Sequence, residues 1–165
     1  LNCTADRCPA RVLLDTGSDE NFVSQKFLRR LLTNKENNGL ELRNLSHPRK
    51  VTGIRGEPFS IEKSVEFNVQ VPETGQVERV SFFPSPTGTK GEDPLGHDLL
   101  LGTGALRTFG LSMHFGSELQ IASHHRGNEH KVPRLGSSQN QPSRSVSAIV
   151  TEDGIEPGVV RGSDA

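Results

Sequence analysis

Ile61, Val65, Phe67, Val69 and Val71 alternate with Glu62, Ser64, Glu66, Asn68 and Gln70. Successive side chains of an extended chain point to opposite faces, so this spacing commits the segment to a strand with one buried face and one wet face. Thr74-Gly75 then offers a turn into Val80, Phe82 and Phe83, which predicts a hairpin. A second hairpin fits Leu111 to Phe115 and Leu119 to Ile121 around Gly116-Ser117. Helical spacing is confined to two short stretches. Ser24 can cap a helix over Gln25 to Leu32, in which Phe27, Leu28, Leu31 and Leu32 share a face, and another short helix fits Ala105 to Phe109. With 17 Gly, 10 Pro and a hydrophobic share of 32%, the chain is rich in turn formers and lean in core, which suits short strands better than long helices. Residues 1-122 therefore read as one mainly β domain whose closely spaced strands point to a barrel.

After Ala122 the character changes. Residues 123-165 are crowded with Ser, Gly, Gln, Pro and Arg, and apolar residues such as Val146, Ile149-Val150 and Val159-Val160 are sparse. So little apolar surface does not offset the entropy of ordering a chain, and 123-165 is expected to be a disordered tail or linker, with Val146 to Val150 its candidate binding motif.

Several function classes are disfavoured by composition. A formal charge of −1, from 19 Lys and Arg against 20 Asp and Glu, leaves no field of one sign to gather nucleic acid or an anionic membrane. Apolar runs such as Leu99-Leu100-Leu101 are far too short to cross a bilayer. Cys3 and Cys8 are too few for a disulfide framework and are not spaced as a zinc pair, so they read as ordinary thiols of an intracellular, cytoplasmic protein. The start at Leu1 suggests a piece of a longer polypeptide. His114, His124, His125 and His130 cluster late in the chain, without the spacing that would aim imidazoles at one ion, so neither metal nor cofactor is expected. No G-x-S-x-G elbow with a paired base can be found for a Ser-His-Asp reading.

One acidic residue stands in an unusual place. Asp15 follows Val12-Leu13-Leu14 and precedes Thr16-Gly17-Ser18, so a buried strand delivers a carboxylate straight into a tight turn. Such a carboxylate is costly unless hydrogen bonds or a shared proton support it. Gly17 lets a backbone amide come close, and Ser18 is expected to donate to the outer oxygen. The bland reading is a plain strand-ending turn, since Asp, Thr, Gly and Ser are all common in turns.

The surroundings of Asp15 favour the functional reading. Val12 to Ser18, followed by Asn21-Phe22-Val23-Ser24 and a helix ending in Leu31-Leu32, resembles the active-site segment of retropepsins, the aspartic proteases of retroviruses and LTR retrotransposons. Val51-Thr52-Gly53-Ile54-Arg55-Gly56 looks like the glycine-rich tip of their flap hairpin. His97-Asp98-Leu99-Leu100-Leu101-Gly102 looks like their later strand of the form apolar-apolar-Gly, and the helix at Ala105 to Phe109 follows it. The order is kept over residues 8-122. There are departures: Asn34 to Lys50 and Pro84 to Gly96 are longer and more polar than a minimal retropepsin needs and read as surface insertions. Thr103-Gly104 replaces bulkier residues, and few residues precede Asp15, which shortens the family's first strand.

The resemblance implies a closed acid-protease barrel, mainly β, with one or two short helices. It implies a homodimer in which two copies of Asp15 meet across a two-fold axis and hold one water. One carboxylate would be the general base while the other keeps its proton and polarises the scissile carbonyl, an arrangement suited to mildly acidic pH. Thr16 would brace the two loops, Gly17 would line the cleft, and Ser18 would belong to the catalytic turn with them. Gly53, Ile54, Arg55 and Gly56 would close over an extended peptide or polyprotein substrate as an extra strand. The function so implied is that of an aspartic endopeptidase processing a retrotransposon-type polyprotein. The rival is a domesticated or decayed retroelement domain that dimerises or binds peptides without cutting them. A pepsin-like two-lobed enzyme is disfavoured, because one Asp-Thr-Gly stands in a chain too short for two lobes.

Overall fold

The structure is a computed structural model that describes residues 1–34, 39–52, 58–87, 95–115, 119–125 and 127–132. Its centre is a ring of strands. β1 (Asn2–Ala5) pairs antiparallel with β2 (Cys8–Leu14), and β2 runs parallel to β7 (Leu99–Leu101). β7 pairs antiparallel with β3 (Phe22–Val23), which runs parallel to β6 (Gln76–Pro84). β6 pairs antiparallel with β5 (Pro58–Val71), and β5 returns to β1 at Thr4↔Gln70 and Ala5↔Val69. Six strands thus close in the order β1-β2-β7-β3-β6-β5, and closure removes the exposed edges that an open sheet would carry.

Alternation along β5 fills this ring. Val65, Phe67, Val69 and Val71 are all buried, while Asn68 between them is exposed. Phe67 stacks on Phe82 of β6 with ring centroids 4.4 Å apart and planes 1° from parallel. Ile61 has the same parity but serves a different cluster, with Phe22, Phe83 and Leu100. The exposed Lys63 marks where β5 leaves one cluster for the other. The expected turn is present, since the Gly75 amide donates to the carbonyl of Val71 at 2.9 Å and the Gln76 amide to Thr74 Oγ1 at 3.1 Å.

The helices are short and local. α1 (Gln25–Thr33) is capped by Ser24, whose Oγ accepts from the Phe27 amide at 3.1 Å. It buries Phe27, Leu28 and Leu31 against the barrel, whereas Leu32, expected on the same face, is 42% exposed. Leu32 lies one residue past Leu31, about 100° further round the helix, which turns it outward. α2 (Thr103–Thr108) starts immediately after Gly102 and buries Ala105 and Leu106.

A second sheet covers one side of the barrel. β8 (Leu111–Phe115), β9 (Leu119–His125) and β10 (Asn128–Val132) pair antiparallel in the order β10-β9-β8. Ile121 and Val132 join the barrel core, and the Ser123 hydroxyl, fully buried, donates to the carbonyl of Phe109 at 3.0 Å. The expected boundary at Ala122 therefore falls inside β9, and described structure continues to Val132. A scan for apolar runs ends too early here because, among the described residues beyond Ala122, the burial comes from a hydrogen-bonded serine and one valine. The rest of the expected tail, 133-165, with its motif at Val146 to Val150, lies outside the described residues.

Two further expectations are corrected. The segment Asn34 to Lys50 is not all surface insertion, since β4 (Arg43–Thr52) pairs with β5 from Arg43↔Ser64 to Thr52↔Pro58. That ladder breaks between Asn44 and Arg49, where Pro48 has no amide to donate. The first strand is also complete enough to close the ring: Asp6 and Arg7, at φ 41° and 67°, make a two-residue turn of the kind that matches strand twist. The Asp6 carboxylate accepts from the Asn68 amide at 3.0 Å and so ties this turn to β5.

Burial distinguishes the two thiols. Cys3 is 2% exposed on β1, and burial pushes its thiol up to about 12, whereas Cys8 is half-buried and its Sγ accepts from Asn34 Nδ2 at 3.3 Å. A thiolate-selective reagent at pH near 8 is expected to label one thiol per native chain quickly, at Cys8, and the second only after denaturation, since the thiolate is the reacting species. Peptide mapping of the labelled protein checks this, and two equally fast thiols would contradict the packing of β1.

Candidate active site

Asp15 is set by the pairing of β2 with β7. Val12, Leu13 and Leu14 stand beside Leu99, Leu100 and Leu101 in parallel register, and the Asp15 amide then donates to the carbonyl of Leu101 at 3.0 Å. Leu99 and Leu101 are fully buried in the barrel core, and Leu100 packs in the second cluster, so β7 is apolar on both faces. Leu13 packs against the same second cluster. By strand alternation Asp15, two residues on, emerges on that side, which is also the side of the β4–β5 hairpin that contributes Leu45, Val51 and Phe59.

The carboxylate is half-buried, a position that avoids the full cost of desolvating a charge. Its Oδ1 accepts from the Gly17 amide at 2.9 Å, as the tight turn requires. Ser18 behaves differently from expectation: its hydroxyl donates to the carbonyl of Glu20 at 2.7 Å and accepts from the Glu20 amide at 3.3 Å. A hydroxyl with a carbonyl two residues away closes a local ring, and here that bond takes the donor that Asp15 was expected to receive. Thr16 and Gly17 are exposed. Gly53, Ile54, Arg55 and Gly56 lie outside the described residues, although the pair Thr52↔Pro58 on either side of them is described.

The loop from Asp15 to Asn21 is anchored to the start of α2. The Thr103 amide donates to the carbonyl of Ser18 at 2.8 Å, and the Gly102 amide to Asn21 Oδ1 at 2.8 Å. Asn21 also donates through Nδ2 to the carbonyl of Ser81 at 3.1 Å, and its own carbonyl accepts from the Phe83 amide at 2.9 Å. One amide side chain thereby links the loop, β6 and the end of β7. No spacing rule in the sequence signals this role, because its partners lie 60 and 81 residues away.

Asp98 is a structural pin. Its Oδ2 accepts from the Arg11 amide at 2.8 Å and lies 3.8 Å from Arg11 Nε, at the far end of the β2–β7 pairing. Four residues of strand separate Arg11 from Asp15, roughly 13 Å. A cavity of about 540 Å³ opens at that far end, lined by Cys8, Arg11, Arg30, Asn34 and Asp98 among others, and shares no residue with the Asp15 loop. Of the late histidines, His114 and His124 bring Nε2 atoms to within 3.1 and 3.2 Å of Ser112 Oγ on the second sheet.

No protein-family model matches the chain, and no curated protein matches its sequence. Among solved structures, the chain is similar to the EIAV protease complexed with an inhibitor, at 16% identity over 70% of this chain and 90% of that one, with a TM-score of 0.48. It is also similar to the retroviral protease-like domain of Ddi1 from Leishmania major, at 11% identity over 81% of this chain and 92% of that one, with a TM-score of 0.48. The architecture itself is read from the coordinates: a mainly β closed barrel with two short helices, as the sequence led one to expect.

Two glycines two residues apart should respond oppositely to alanine. A Cβ on Gly102 would come within 2.5 Å of the Ser18 carbonyl oxygen and 2.6 Å of that of Glu20, both backbone atoms of the Asp15 loop, while one on Gly104 would meet nothing within 4 Å. Gly102→Ala is expected to destabilise by about 1–3 kcal/mol through overpacking. Gly104→Ala, inside α2, should stabilise by roughly 0.5–1 kcal/mol through helix propensity. Urea unfolding midpoints of the two variants check the sign, and equal effects would contradict the contact at Gly102.

Proposed function

We propose that this chain is an aspartic endopeptidase of the retropepsin kind, whose active site is completed by a second copy of itself and whose substrate is an extended peptide of a retrotransposon-type polyprotein. The observation that carries the reading is the Asp15 carboxylate: half-buried, delivered by a central strand of a closed barrel, and held through Oδ1 by the Gly17 amide. The parallel pairing of β2 with β7 fixes the backbone of Asp15, and the close approach of Gly102 to the Ser18 and Glu20 carbonyls fixes the loop that follows it, which supports a site over a plain strand-ending turn.

The chemistry needs two carboxylates in different protonation states. Among the described residues each chain brings one Asp of this kind, since Asp6 is engaged in the β1–β2 turn, Asp98 is bonded to Arg11 at the far end of the β2–β7 pairing and Asp19 is exposed beside Thr103. A two-fold axis through a pair of chains is the simplest way to set two Asp15 loops face to face. The ionised carboxylate takes a proton from water as its oxygen bonds to the scissile carbonyl carbon. The protonated carboxylate donates to the carbonyl oxygen. Collapse of the resulting diol breaks the C–N bond, and the amine leaves with a proton returned by the dyad. Gly53 to Gly56 would cover the peptide from the hairpin side, where Leu45, Val51, Phe59, Phe22 and Phe83 supply an apolar wall.

Asp15→Asn keeps the side-chain volume and removes the acid. Cleavage of a random peptide library is expected to fall by at least about a hundred-fold, the scale of a lost general base, with the melting temperature little changed. A well-folded Asp15→Asn protein that still cuts at the wild-type rate would overturn the assignment. Wild-type chains that bind peptides without cutting them would favour the non-catalytic rival.

A further inference from the structure

The hairpin beside the Asp15 loop is held loosely by its own packing. β4 pairs with β5 alone, and its other edge carries no strand among the described residues. Leu45 and Val51 are partly buried, and every other residue of β4 is exposed. The ladder to β5 is interrupted between Asn44 and Arg49, so the half of β4 that leads to residues 53–57 hangs on the pairs from Arg49↔Ile61 to Thr52↔Pro58.

One contact crosses from that half to the loop. Arg49 Nη1 stands 2.6 Å from Glu20 Oε1, and the Arg49 guanidinium lies 5.7 Å from the centre of the Phe83 ring. Glu20 is well placed to take a load. Its amide and carbonyl are both bonded to Ser18 Oγ, and its backbone lies against Gly102, where a methyl group would not fit. Arg49 is the first residue of β4 after the break, so the ion pair seizes the hairpin where its ladder resumes.

We propose that Arg49 and Glu20 form a strut that positions the β4–β5 hairpin over the Asp15 loop, Arg49 acting as a positioning residue rather than a catalytic one. Its kinetic consequence rests on the protease reading above; its mechanical consequence does not. The Arg49 and Glu20 side chains are 57% and 32% exposed, so solvent screening limits the effect to about two- to five-fold. Losing the strut lowers the population of hairpins in place, which weakens apparent substrate affinity by the same factor and leaves the chemical step alone.

Residue-resolved amide exchange tests the mechanics on the full chain. Glu20→Gln and Arg49→Gln should each speed exchange at Lys50 to Thr52 and in the loop from Thr16 to Asn21 by about two- to five-fold, and the double variant should go no further than either single one. Glu66→Gln, which breaks the contacts of this β5 residue with Arg43 on β4 and Arg79 on β6, should leave the loop unchanged. Unchanged rates in both single variants, or a double variant equal to the product of the two, would overturn the strut. If a variant fails to fold, wild type alone decides. Raising salt from about 0.05 to about 1 M should speed the same amides relative to those of β1, and no such acceleration counts against the proposal. Should wild type cleave peptides, KM should rise two- to five-fold in the single variants with kcat unchanged. A wild type that cleaves nothing would refute the protease reading and leave the strut to the exchange data.

Discussion

Three pairs of residues, Val12 to Leu14 against Leu99 to Leu101, close the ring on the side of Asp15, as the β1–β5 pairs close it on the other side of the β1–β2 hairpin. The two segments lie far apart in sequence, and their parallel pairing joins the β1–β2 hairpin to the rest of the ring. Leu99 and Leu101 face the barrel core and Leu100 faces the cluster beneath the β4–β5 hairpin, so both apolar clusters meet on one short strand. Everything near Asp15 follows from this. The strand pair ends at the Asp15 amide, Gly102 lets the loop carbonyls come close, and the start of α2 receives the loop through the Thr103 amide.

The electrostatic logic is one of restraint. A carboxylate at the end of a strand pair keeps part of its hydration and one fixed amide donor, instead of the several partners that full burial would demand. The other acids of the loop have partners of their own: Glu20 pairs with Arg49, and Asp19 accepts from Thr103 Oγ1 at 3.5 Å. On the proposed reading, the remaining requirement of Asp15 is a second carboxylate that shares a proton, and the open side of the loop is where a second copy would bring it.

Local chemistry was legible in the sequence and distant chemistry was not. The alternation from Val65 to Val71, the Ser24 cap and the Thr74-Gly75 turn each depend on residues a few positions apart, and each is present. The backbone amide expected at the Asp15 carboxylate was legible for the same reason, and the structure shows it to be that of Gly17. Ser18 was misread because a neighbouring carbonyl competed for its hydroxyl. The Asp6-Arg7 turn escaped notice because it holds a left-handed conformation without glycine, supported by Asn68 from another strand. Asn21, Arg49 and the burial of Ser123 depend on partners that only the closed ring brings near. The boundary at Ala122 failed on the same ground, since Val132 is apolar company only once β9 is beside it.

The central claim is that one chain supplies half of an active site. Peptide-cleaving activity per chain, followed on dilution alongside sedimentation of the same samples, tests it most directly. The account predicts that activity per chain falls in step with the dimer fraction and that added Asp15→Asn chains suppress wild type by forming mixed pairs. Constant activity per chain far into the monomer range would contradict it, and a single copy of Asp15 would then have to serve alone.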